Sequence, residues 1–87
     1  MSSNVNWFVL EEEYTIGSAK VNGKDVFITE ESIRFDAPRV MIHETLSEAV
    51  MQVCSLDEDD LGIPEERRYF KRTMKEALKN YRIAKER

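Results

Sequence analysis

The chain is poor in the residues that most often announce a chemistry. Cysteine occurs once, at Cys54, and histidine once, at His43. A lone thiol excludes an intrachain disulfide, and a reducing compartment, the cytoplasm, is the expected location. The three glycines, Gly17, Gly23 and Gly62, are scattered, so no glycine-rich phosphate loop exists. The longest apolar run, Trp7 to Leu10, falls far short of the roughly 20 residues that span a bilayer, and no membrane partner is expected. The opening residues also lack the positive start and apolar core of a secretory leader. Neither an internal repeat nor a low-complexity linker is present.

What is present suits one small domain. Its 87 residues are 41% apolar and 34% charged, the balance of a globular chain rather than a disordered one. A chain of this length buries only about 60–65% of its unfolded surface, so association with a partner or a second copy would help it. The net charge of −4 conceals a sharp division. Residues 1–66 carry 4 basic and 15 acidic side chains, a balance of −11, whereas residues 67–87 carry 9 basic and 2 acidic, a balance of +7. Such a division implies either a use for the split or the folding of one half against the other.

The last stretch, 64–85, has the clearest pattern. Phe70, Met74, Ala77, Tyr81 and Ala84 recur at the spacing of one buried helical face. Arg68, Arg72, Lys75, Lys79 and Arg82 repeat the rhythm two positions earlier, roughly 160° around the helix, and form a basic ridge. Pro64 opens this helix, with Glu65 and Glu66 at its positive end.

Upstream, the spacing predicts strands over about 5–36. VNWFVL is β-branched and aromatic, with Trp7 as its core anchor, and Tyr14, Thr15 and Ile16 resume the extended pattern after Glu11, Glu12 and Glu13. Asn22-Gly23 is the preferred pair for a two-residue hairpin turn and places Val21 opposite Lys24, Lys20 opposite Asp25, and Ala19 opposite Val26. A further short strand is expected over 32–36. Asp36 then reads as an N-cap, and Ile42, Leu46, Ala49, Val50 and Val53 predict an amphipathic helix over 37–55. Ser55 and Glu58 have capping-box spacing ahead of an acidic loop over 56–63. The expected fold is therefore α+β: a small antiparallel sheet with an Asn-Gly hairpin, followed by two amphipathic helices.

Three partial motifs bear on chemistry. In His43-Glu44-Thr45-Leu46-Ser47, the first histidine and the glutamate of an H-E-x-x-H zinc site are present, but serine stands where the second histidine should. The order of elements around I-H-E resembles the small H-E-x-x-H metallopeptidases of phages and mobile elements. That resemblance covers about Trp7 to Tyr81. It implies a metal-ligand position for His43, a general-base position for Glu44, and a scaffold that has lost its metal at Ser47. Cys54 cannot complete the site from the same helix, because eleven residues at about 1.5 Å each separate it by about 16 Å. In an EF-hand count from Asp57, Asp59, Gly62 and Glu65 fit positions three, six and nine, but Leu61 and Arg68 occupy positions five and twelve. No metal, cofactor or catalytic set is expected. The acidic residues 57–60, with Glu11 to Glu13 and Glu30 and Glu31, read instead as an anionic surface.

The ranking that follows places protein recognition first. The expected function is a small intracellular, non-enzymatic protein-binding module, a regulator or inhibitor of the compact kind that phages encode. Its partner-binding residues are Arg68, Arg72, Lys75, Lys79 and Arg82 on the ridge and Asp57, Asp59 and Asp60 in the loop, and a homodimer is compatible with its size. An inactive H-E-x-x-H scaffold ranks second. Nucleic-acid binding by the basic helix ranks third, because no aromatic platform accompanies the ridge.

Overall fold

The computed structural model describes residues 4–87. Four strands, β1 (Asn6–Leu10), β2 (Tyr14–Val21), β3 (Lys24–Glu31) and β4 (Arg39–His43), form one antiparallel sheet in the order β1-β2-β3-β4. Two helices follow, α1 (Leu46–Cys54) and α2 (Pro64–Lys85), and both pack on the same face of the sheet. The class is α+β, as the residue pattern predicts, and no described helix is long and apolar enough to cross a membrane.

The hairpin has the predicted register. Val21 pairs with Lys24, Lys20 with Asp25 and Ala19 with Val26. Asn22 (φ 52°) and Gly23 (φ 80°) both take positive φ, which the right-handed twist of a two-residue turn demands. Lys20 reaches the Asp25 carboxylate at 3.3 Å.

The inner face of the sheet carries Ile16, Phe27 and Thr29, which pack beneath Ala49 and Val50 of α1 and Ala77 and Ala84 of α2. The predicted apolar stripe of α2 is the stripe that is buried. Tyr81 joins Phe8 and Phe27 in a three-ring cluster, with centroids 5.2–6.4 Å apart at tilted or edge-on angles. Its hydroxyl donates to Asp25, which also accepts from Lys85 at 3.2 Å. The Tyr81 bond, then the two lysines, hold the Asp25 carboxyl below its ordinary value against the opposing cost of burial. Hairpin and terminal helix are thereby joined by both apolar and ionic contact.

Five expectations need correction. Trp7 is not the core anchor. A β-bulge between Trp7 and Val9 turns both Phe8 and Val9 inward and leaves Trp7 on the opposite face. There its ring lies against Gly17, where an added Cβ would sit 2.7 Å from the ring and 2.6 Å from Val5. Residues 32–36 are a turn, not a strand, and Asp36 accepts from the neighbouring Ala37 amide rather than capping a helix.

The helix over 37–55 is two elements. Arg39–His43 is a strand on the sheet edge, and the helix begins only at Leu46. Val40 and Ile42 are β-branched and alternate with Met41 and His43, a period of two that the coincidental four-residue step from Ile42 to Leu46 disguised. The cap is Thr45, whose hydroxyl accepts from the Glu48 amide and donates to the Glu48 carboxylate, both at 3.1 Å.

Ser55 does not open a capping box either. It ends α1 in the left-handed region (φ 57°), with its own amide bonded to the Gln52 carbonyl and the Leu56 amide to the Met51 carbonyl. The reciprocal cap lies two residues on. The Asp57 amide donates to Asp60 and the Asp60 amide to Asp57, each at 3.0 Å, ahead of a short 3-10 turn over Asp60–Gly62.

Two substitutions test this packing by urea unfolding. Tyr81→Phe keeps the ring but strips Asp25 of its strongest partner, and should lower stability by about 1.5–3 kcal/mol. Gly17→Ala forces the Trp7 ring off the sheet and should cost about 1–3 kcal/mol, with a change in tryptophan emission. A neutral result for either would show that the contact carries no stability.

Candidate functional site

His43 closes β4, on the inner face, opposite Phe27. It is 8% exposed, and its Nε2 lies 3.0 Å from the hydroxyl of Thr29, which is fully buried. Burial pulls the imidazole below its ordinary value of 6.5, partly opposed by the charges of Glu48 and Glu31. The ring is therefore neutral near pH 7 and bonded to a hydroxyl that no substrate reaches. An open cleft of about 680 Å³ lies beside it between β4 and α1, with Met41, Met51, Gln52 and Glu48 among its walls.

Glu44 follows on the exposed link before α1, and Ser47 lies in the first turn of that helix. The I-H-E segment thus spans a strand end and a loop, not the helix that the H-E-x-x-H resemblance implies. One helical turn does not separate positions 43 and 47, so the spacing that lets two side chains share a metal does not apply here. Among the described residues no group of three or more His, Cys, Asp and Glu side chains could hold a metal ion.

Cys54 sits at the end of α1 as a core residue. Burial pushes its thiol up, more than hydrogen bonds with Thr73 and Tyr69 bring it down. A protonated, enclosed thiol is a packing group rather than a nucleophile.

The charged residues divide differently. Arg68, Arg72, Lys75, Lys79 and Arg82 are all exposed along the outer side of α2. From Arg68 to Arg82 the ridge covers fourteen helical steps, about 21 Å at 1.5 Å per residue. Among the described residues the ion pairs are Lys20 with Asp25 and Lys85 with Asp25, and neither involves the ridge. The basic half packs on the acidic half through the inner side of α2 and the Lys85–Asp25 pair, but the acidic half does not neutralise the ridge. Asp57 and Asp59 are exposed and Asp60 half-buried, the first and last with carboxylates engaged by the reciprocal cap.

The broader anionic surface does not form as one patch. Glu30 and Glu31 are successive residues of β3 and point to opposite faces, and Glu31 is held on the helix side by Gln52 at 2.9 Å.

One surface has no counterpart in the sequence reading. The face of the sheet away from the helices is open and mainly apolar. Ile42 is 69% exposed there, Val40 58% and Val21 52%. The period-two pattern of 39–43 was the signal that could have revealed it. Beyond the C-terminal end of β3, Phe35 is 94% exposed at positive φ (65°), with the Arg34 guanidinium 5.0 Å from its ring centre.

Comparison with family models, with curated proteins and with solved structures gives no match for this chain.

The buried imidazole makes a pH prediction. Because the folded state binds the His43 proton less readily than the unfolded chain, stability is full above about pH 6.5 and falls as pH drops through the lower folded value. Urea unfolding at pH 7 and pH 5 should show that loss in the wild type and a smaller one in His43→Gln. An equal loss in both would mean that His43 is not the titrating group.

Proposed function

We infer that this domain is a small non-enzymatic protein-binding module, a regulator or inhibitor, that grips an acidic surface on a partner protein with the basic ridge of α2. The observation that carries this reading is that the five ridge cations are exposed and form no ion pair with the acidic half of the chain. A charge division that the fold does not neutralise remains available to a partner. The ridge also lies along one rigid 22-residue helix whose apolar side is anchored in the core, so its charges are presented in a fixed line.

The other chemically suggestive groups are occupied within the fold. His43 is bonded to a sealed hydroxyl, Cys54 is enclosed, and Asp57 and Asp60 cap the turn ahead of α2. Asp57, Asp59 and Asp60 then make the N-terminal approach to α2 negative and the ridge beyond it positive. That polarity favours one orientation of docking. A buried, protonated thiol also suits a reducing cytoplasm.

Reversing Arg72, Lys75 and Lys79 to Glu tests the reading. The triple variant should retain the wild-type circular dichroism and melting temperature, because all three side chains are exposed, and should bind an isolated partner at least about tenfold more weakly. Wild-type affinity should also fall as salt rises. Undiminished binding by the folded triple variant would refute the ridge as the docking element. Tight duplex binding that weakens steeply with salt would reassign the ridge to phosphates.

A further inference from the structure

The outer face of the sheet is a second surface, independent of the basic ridge. The strand registers place Trp7, Gly17, Ile28 and Ile42 in one row across all four strands. Ala19 and Val26 lie in the row on one side, and Leu10, Thr15, Glu30 and Val40 in the row on the other. The Trp7 ring fills the space over Gly17 and levels the surface there.

In this whole face the strands place only two charges, Lys24 and Glu30. Both are exposed, both lie on β3, and they have opposite sign. They stand symmetrically about the level of Phe27, three residues to either side, and are about 20 Å apart at 3.4 Å per residue.

We propose that a second copy of this chain covers this face, in a two-fold symmetric sandwich with the helices outside. A dyad lying between the sheets, running across the strands at the level of Phe27, turns β3 antiparallel onto its own copy. Val26 then meets Ile28 of the second copy, Lys24 meets its Glu30, and Glu30 meets its Lys24. An arrangement of charges that is self-complementary under a dyad is what an isologous interface requires. Sheets packed in this way lie about 10 Å apart with strands within about 30° of alignment. The long side chains of Lys24 and Glu30 absorb the sideways offset that this angle produces near the strand ends.

The size is adequate. Four strands at about 4.8 Å spacing, five to eight residues long at 3.4 Å, present on the order of 400–500 Å² in projection, and more as accessible surface. Two copies together therefore reach the roughly 1,000 Å² that a specific interface needs. Covering the face also takes the exposed apolar side chains of Val40 and Ile42 out of water. Both basic ridges stay on the outside of the sandwich, so dimerisation and ridge binding fail separately.

Sedimentation equilibrium from about 1 to 500 µM tests the proposal. The wild type should move from 10.2 kDa to twice that mass. Ile42→Asp should remain monomeric with wild-type circular dichroism, since that side chain is 69% exposed and contributes little to the fold. Lys24→Glu alone and Glu30→Lys alone each set like charges against each other and should raise the dimer dissociation constant at least about tenfold, whereas the double exchange should restore it. A wild type that stays at 10.2 kDa throughout overturns the proposal, as does a dimer that survives Ile42→Asp or a double exchange that rescues nothing. Partner binding measured with monomeric Ile42→Asp reports on the ridge alone, so neither result can mask the other.

Discussion

The apolar stripe of α2 must be buried, and one sheet face buries it together with that of α1. That constraint sets the architecture. Phe8 and Phe27 receive Tyr81, the Asp25 carboxylate takes the Tyr81 hydroxyl and the Lys85 ammonium, and Ala77 and Ala84 let the helix approach the sheet. The shorter α1 fills the rest of the same face through Ala49 and Val50. Both helices are spent on one side, so the molecule has two layers and is only 22 Å through its thinnest dimension. Two surfaces remain uncommitted: the outer side of α2 and the outer side of the sheet.

These surfaces differ in physical character, and under the proposed reading each would serve a different kind of contact. The helix presents a line of cations whose interactions reach through solvent and fade with salt. The sheet presents side chains whose association depends on area and fit. The groups with reactive potential are instead absorbed into structure. His43 and Thr29 satisfy each other inside the sheet, Cys54 fills the end of α1, and Asp57 and Asp60 bond each other's backbones. A reading of this protein as a recognition module accounts for all of these placements without asking any buried group to react.

The parts legible in the sequence were those governed by local rules. Asn22-Gly23 dictated a turn whose conformation fixes the register of both strands, and twenty-two residues of sustained helical period defined α2 from Pro64 to Lys85. The region 37–55 was less readable because it is short and carries both periods. Ile42, Leu46, Ala49 and Val50 satisfy helical spacing, and Val40 and Ile42 also satisfy strand alternation. Two caps decided between them, Thr45 with Glu48 at one end and the left-handed Ser55 at the other. Each is a four-residue signal that a longer apparent helix concealed. Trp7 was misassigned for a related reason: strict alternation cannot anticipate a bulge that turns two consecutive residues, Phe8 and Val9, to the same side.

The amino-acid sequence by itself determined the class, the hairpin, the final helix and the separation of charge, because each follows from residue periodicity or from the covalent preferences of one or two residues. Tertiary structure decided which face of each element meets another. It placed His43 on a strand beside Thr29, put Glu30 and Glu31 on opposite sides of the sheet, and kept the acidic half from neutralising the ridge. It also left Ile42 and Val40 outside. The reason is geometric: burial depends on how many elements compete for the same face, and no single segment carries that information.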